Sequence, residues 1–164
     1  MKDKKLKILF LYPNIHMSTL VPNGISILSA VLKEAGFKNI GLFDNTFYES
    51  SNEISKDQHQ VESGQVPLFN FGDREIKLKT TNMYDDWVKK VDEFKPDIII
   101  ASVLEDTFKI FKNFMELIKD RKIPCLAGGV FPSSAPEKLI KLDFVNYVCR
   151  GEGEGALVDL ANAL

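Results

Sequence analysis

Unbroken apolar runs alternate along the chain with stretches in which apolar positions recur every three or four residues. Residues 6–12 (LKILFLY), 39–43, 98–101, 123–127 and 144–149 are the short apolar runs. They lack the polar alternation of a half-exposed strand and read as strands covered on both faces. Between them, Ile25, Leu28, Val31, Leu32 and Ala35 form one helical stripe, with Gly36 as its stop. Tyr84, Val88, Val91 and Phe94 form a second, ended by Pro96, and Phe108, Phe111, Met115 and Ile118 a third. A fourth, short helix opens at Phe131-Pro132 and runs to Leu142, and a final helix occupies 156–164.

Strand–helix–strand alternation with short connections requires parallel strands. Right-handed crossovers then favour a five-stranded, doubly wound α/β sheet of flavodoxin-like or Rossmann-like type, order 2-1-3-4-5, flanked by helices. One stretch departs from the pattern. Residues 45–81 are rich in Ser, Asn, Gln, Asp and Glu and form a long insertion after strand 2, with 66–71 as a candidate hairpin or flap. The last helix ends without a cap or polar tail and reads as the cut end of a longer chain.

The 164 residues suit one domain, and 45% hydrophobic with 27% charged residues is an ordinary globular balance. A net charge of -2 argues against nucleic acid as a partner. With no apolar run near the length of a bilayer span and no signal-peptide core, no membrane partner is expected, and the location expected is cytoplasmic. Cys125 and Cys149 both fall in expected strands, where a thiol behaves as a small apolar group. Neither has metal-ligand spacing, so no zinc or iron–sulfur site is expected on this chain alone.

Ligands of open α/β sheets bind outside the carboxyl ends of the strands. A dinucleotide site would need Gly-x-Gly-x-x-Gly in the first strand–helix turn, which here holds one glycine, Gly24. The run Gly151-Glu152-Gly153-Glu154-Gly155 carries two carboxylates, which repel phosphate. A phospho-acceptor site lacks its clustered acids, because Tyr12-Pro13-Asn14 and Ser102 stand at the relevant strand ends. Ser18-Thr19 matches a flavin mononucleotide loop poorly. What is left is a set of small residues at three strand ends: Asp44-Asn45-Thr46, Ser102-Val103-Leu104 and Gly128-Gly129. Such residues open a slot in the sheet edge and let a bulky ligand reach backbone. The plain alternatives are strand-end packing for Ser102, a turn for the two glycines and loop shaping for Asp44.

These residues resemble the cobalamin-binding domain pattern, Asp-x-His-x-x-Gly followed by Ser-x-Leu and Gly-Gly. Asp44, Ser102, Leu104, Gly128 and Gly129 match it, whereas Thr46 stands in place of the histidine and Glu49 in place of the last glycine. The departure is similar to that in the cobalamin-binding N-terminal domain of radical S-adenosylmethionine (SAM) enzymes, including those similar to the anaerobic magnesium-protoporphyrin ester cyclase family. Pro13, Pro22-Asn23-Gly24-Ile25, Leu28-Ser29-Ala30, Pro96-Asp97, Pro132, Pro136-Glu137 and Gly151-Glu152-Gly153-Glu154 extend the match over most of the chain.

The resemblance implies a cobalamin-binding domain over 1–164, with the corrin across the carboxyl edge of the sheet and the nucleotide tail in the slot. It implies cofactor contacts from Asn14, Asp44, Thr46, Ser102, Leu104, Glu105, Gly128, Gly129, Phe131, Pro132, Gly151, Glu152 and Gly153. No residue of this chain is expected to be catalytic. Because a hydroxyl ligates cobalt poorly beside imidazole, Thr46 implies a lower face without a protein ligand, which suits methyl transfer. His16, in the first loop, is the one histidine near enough in sequence to approach the ring, although a loop histidine ordinarily faces solvent. A radical SAM core bearing a [4Fe–4S] cluster and S-adenosylmethionine is expected downstream, and the whole enzyme would be a methyltransferase or cyclase. The competing reading is a non-catalytic flavodoxin-like domain that binds a nucleotide or a partner protein.

Overall fold

In the computed structural model, residues 4–15, 21–49, 63–64 and 77–164 are described. The elements run β1 (Ile8–Tyr12), α1 (Asn23–Glu34), β2 (Ile40–Asp44), α2 (Met83–Phe94), β3 (Ile98–Ser102), α3 (Phe108–Glu116), β4 (Cys125–Gly128), α4 (Val130–Ser134), α5 (Pro136–Ile140), β5 (Tyr147–Val148) and α6 (Glu154–Ala163). All five strands are parallel, in the order β2-β1-β3-β4-β5. The sheet order and α/β class are those the apolar pattern predicts.

Three details differ. The stretch 131–142 forms two short helices, because Pro136 supplies no N–H to continue the first and is instead seated at the start of the second. The last strand is only two residues long. Phe144 and Val145 are buried ahead of it rather than paired within it, and Cys149 lies just beyond its end. The hairpin expected at 66–71, His16 and Ser18-Thr19 lie outside the described residues.

Side chains of a strand point alternately to its two faces, and the two faces here have separate cores. Leu9, Leu11, Ile99, Ala101, Cys125 and Ala127 pack with Trp87, Val91, Phe111 and Phe114 of α2 and α3. The Trp87 indole N–H donates to the Phe114 carbonyl at 2.8 Å, so its polar edge is satisfied inside that core. Ile8, Phe10, Ile98, Ile100 and Leu126 pack on the other face with Ile25 and Leu32 of α1 and Leu157 and Ala161 of α6. The candidate site lies on this second face.

The insertion leaves and re-enters the fold at one place. Tyr48 and Lys79 form a parallel bridge. The Tyr48 and Thr81 hydroxyls both donate to Asp86 Oδ2, at 2.9 and 2.7 Å, which ties both ends of the insertion to the first turn of α2. Asn82 caps that helix by accepting from the Tyr84 and Asp85 N–H groups.

Candidate functional site

On the α1/α6 face, the row of β3 side chains is Ile98, Ile100, Ser102, and the row of β4 is Leu126, Gly128. Both rows therefore shrink from branched aliphatic to nearly nothing at the carboxyl edge, where Ser102 and Gly128 are paired in register. Beneath them opens a cavity of about 210 Å³. Its floor is Phe10, Ile100, Ala101 and Leu126, and its walls come from Gly24, Ile25, Ile27 and Leu28 of α1, Leu157 of α6, Cys149 and the run Gly151-Glu152-Gly153-Glu154. The volume far exceeds that of one water and falls short of a whole drug-sized pocket.

The two glycines have different reasons to be glycine. A Cβ on Gly128 would meet only Cys149 Cβ at 3.7 Å and Leu126 Cδ2 at 3.8 Å, which is ordinary contact. Its missing side chain opens space rather than avoiding a clash. Gly129 has φ 108° and ψ -167°, and a Cβ there would lie 3.0 Å from the Val103 carbonyl oxygen. This backbone is essentially restricted to glycine and sends the chain over the end of β3. The turn is held by the Gly128 carbonyl accepting from Val103 N–H at 2.8 Å, and by the Ser133 hydroxyl donating to the Gly129 carbonyl at 2.8 Å. The same hydroxyl accepts from Gly151 N–H at 3.0 Å, linking the β4 turn to the glycine-rich segment before α6.

Of the residues expected to contact a cofactor, Ser102, Gly128, Gly129, Gly151, Glu152 and Gly153 line this cavity. The Ser102 hydroxyl has no hydrogen-bond partner among the described residues. Leu104 is exposed just past β3, its N–H donating to Thr107 Oγ1 at 3.1 Å, and Glu105 is exposed beside it. Val130, exposed just past β4, stands at the same edge. Phe131 and Pro132 are buried, with Phe131 packed on Phe108 at a ring separation of 5.0 Å.

Asn14, Asp44 and Thr46 do not line the cavity but form a hydrogen-bonded group at the ends of β1 and β2. The Asn45 side chain accepts from Asn14 N–H and donates to Asn14 O, both at 2.7 Å, extending the β1–β2 pairing by one side chain. Thr46 is fully buried; its hydroxyl accepts from Asn14 Nδ2 at 2.8 Å and donates to Asp44 Oδ1 at 2.5 Å. Asp44 Oδ1 also accepts from Thr46 N–H, the side-chain turn expected of an aspartate shaping a loop.

Sequence reasoning missed Phe10, Leu28, Ile100, Leu126, Cys149, Glu154 and Leu157 as cavity residues. The alternating rows of β3 and β4 carry the signal for Ile100 and Leu126, but which helices cover that face is not written in either strand. Burial raises the Cys149 thiol pKa, and the Glu154 carboxylate adds to the shift. Among the described residues no group of His, Cys, Asp and Glu is arranged to hold a metal ion, and no helix is long and apolar enough to cross a membrane.

A model of the B12-binding domain family matches residues 69–161. Among curated proteins, none matches the chain by sequence. Among solved structures, the radical S-adenosylmethionine methyltransferase TsrM from Kitasatospora setae, with cobalamin and a [4Fe–4S] cluster bound, superposes with a TM-score of 0.63 at 20% identity. The match covers 95% of this chain and 26% of that one, so the chain corresponds to about a quarter of that enzyme. At this identity the likeness is one of fold.

Proposed function

The chain belongs to the B12-binding domain family, and on that premise we propose that it carries cobalamin with the corrin over the carboxyl edge and the nucleotide tail in the cavity below Ser102 and Gly128. The observation that carries this reading is the paired loss of side chains at the ends of β3 and β4, above a floor formed by Phe10, Ile100 and Leu126. When bound, cobalamin supplies a cobalt centre suited to moving a one-carbon group. The chain's own residues bind and orient. Ser102 offers its hydroxyl to the tail, the glycines admit it, and exposed Leu104 and Val130 give the ring an apolar seat. Asn14, Asp44 and Thr46 act from below by holding the β1 and β2 loops in place. Because the Thr46 hydroxyl is held by Asn14 and Asp44, and a hydroxyl ligates cobalt poorly beside imidazole, Thr46 would serve bound cobalamin by shaping the loop rather than as a metal ligand. Glu105, Phe131 and Pro132 support the same edge, and Gly151, Glu152 and Gly153 close its α6 side.

We place this domain in a radical SAM enzyme catalysing methyl transfer or cyclisation, whose [4Fe–4S] and S-adenosylmethionine site lies in a core outside these residues. The support is the likeness to TsrM together with the fraction of that enzyme the chain spans. A cytoplasmic setting fits two free cysteines. Incubating the chain with hydroxocobalamin, desalting it and recording the visible spectrum tests the binding. Retained cobalamin with a base-off spectrum is the expected result. No retention under either reducing or oxidising conditions would overturn it in favour of a nucleotide- or partner-binding domain.

A further inference from the structure

We propose that Ser133 is a positioning residue for cobalamin: its hydroxyl pins together two glycine turns that border the cavity and so holds that border in its binding shape. The inference rests on the reading above that cobalamin binds at this edge. Gly129 and Gly151 line the cavity, whereas Ser133, half-buried in α4, does not and acts through them. Both turns are backbone hinges, with φ 108° at Gly129 and 74° at Gly151, where glycine alone moves freely. The Gly129 turn is braced by its close approach to Val103, but a Cβ on Gly151 would meet nothing within 4 Å. On one side of that second turn, Cys149 N–H donates to Ala127 O at 2.9 Å; on the other, Gly153 O accepts from Leu157 N–H at 2.8 Å. Among the described residues, the hydrogen bond tying the stretch between them to another element is Gly151 N–H to Ser133 Oγ, at 3.0 Å. The long contact from Cys149 Sγ to Glu152 O, 3.9 Å, stays within the segment.

The tie needs a hydroxyl. Gly129 O can only accept and Gly151 N–H can only donate; one hydroxyl serves both, donating to the first at 2.8 Å and accepting from the second. The Ser133 N–H also donates to Gly129 O, at 3.2 Å, so the side chain sits over that carbonyl by its own helical turn. Threonine keeps this arrangement, because one of its helical rotamers places the hydroxyl on the carbonyl one turn back. Alanine removes the tie. A ligand must then order the Gly151–Gly153 run as it binds, a cost the hydroxyl removes in advance.

Visible titration with hydroxocobalamin, and hydrogen exchange over residues 150–156 read by mass spectrometry, test this in the unmodified chain, Ser133→Ala and Ser133→Thr. Ser133→Ala is expected to bind hydroxocobalamin about three- to tenfold more weakly, the worth of one hydrogen bond, and Ser133→Thr to bind as the unmodified chain does. Without ligand, exchange over 150–156 is expected to be about threefold or more faster in Ser133→Ala, and bound hydroxocobalamin to slow it in every chain. Faster exchange in Ser133→Ala with unchanged affinity would overturn the proposal and leave the hydroxyl a purely structural tie. Folded Ser133→Thr binding as weakly as Ser133→Ala would overturn it too. Failure of the unmodified chain to retain hydroxocobalamin would instead overturn the reading on which the proposal rests, and the proposal with it. Should Ser133→Ala fail to fold, the other two chains decide: weaker binding by Ser133→Thr, or exchange over 150–156 that hydroxocobalamin leaves unchanged, would overturn the proposal.

Discussion

Ser102 and Gly128 end β3 and β4 as a registered pair, and both belong to the rows whose earlier members, Ile100 and Leu126, form the cavity floor. The cavity is thus two truncated side-chain rows rather than a gap between badly packed helices. Its apolar floor is the same surface that, one residue earlier, is ordinary core.

Substitutions at the neighbouring glycines should separate binding from folding. Gly128→Leu has room at its Cβ but sends its branch into the cavity, so cobalamin affinity is expected to fall about tenfold or more with little change in melting temperature. Gly129→Ala, forced into a positive φ with its Cβ against Val103, is expected to lose about 1–3 kcal/mol of stability. Equilibrium urea unfolding and visible titration of both variants check the contrast.

The Thr46 hydroxyl is a structural junction, so Thr46→Val should cost stability rather than change ligation. Buried Asn14 would lose the Thr46 hydroxyl as an acceptor, and half-buried Asp44 would lose one of its donors. The expected loss is about 1–3 kcal/mol in urea unfolding. On the proposed reading, in which the hydroxyl does not ligate cobalt, the visible spectrum of retained cobalamin should keep its maxima.

The two thiols should differ in reactivity. Burial pushes the Cys125 thiol up to about 12, so it stays protonated and inaccessible in the folded chain at pH 8. Half-buried Cys149, on the cavity wall, is expected to react slowly with iodoacetamide, and hydroxocobalamin should protect it. Mass spectrometry of the alkylated peptides, with a urea-unfolded control in which both react, measures this.

The tie at the base of the insertion should weaken in acid. The hydrogen bond from Thr81 lowers the pKa of Asp86, with smaller help from the Tyr48 hydroxyl and from Lys79 and Lys89. A carboxylate depressed in the folded state contributes stability above its unfolded value, and that contribution is lost as pH falls through the depressed folded value. The stability difference between the unmodified chain and Asp86→Asn should therefore be present at pH 7 and shrink towards zero below about pH 4. Paired urea midpoints across that range check the sign.

Much of this molecule was legible before its structure. Unbroken apolar runs such as Ile98-Ile99-Ile100-Ala101 can be buried only inside a parallel sheet, and connection lengths allow few strand orders, so the fold followed from local pattern. Likewise Ser102, Gly128 and Gly129 were identifiable as strand-end residues too small for the places they hold. The register that sets Ser102 opposite Gly128, and the docking of α1 and α6 that turns two short rows into an enclosed cavity, depend on contacts between residues far apart in the chain. No single segment encodes them. For the same reason a linear reading could not place Asn14, Asp44 and Thr46, which do not line the cavity but are hydrogen-bonded to one another across the ends of β1 and β2.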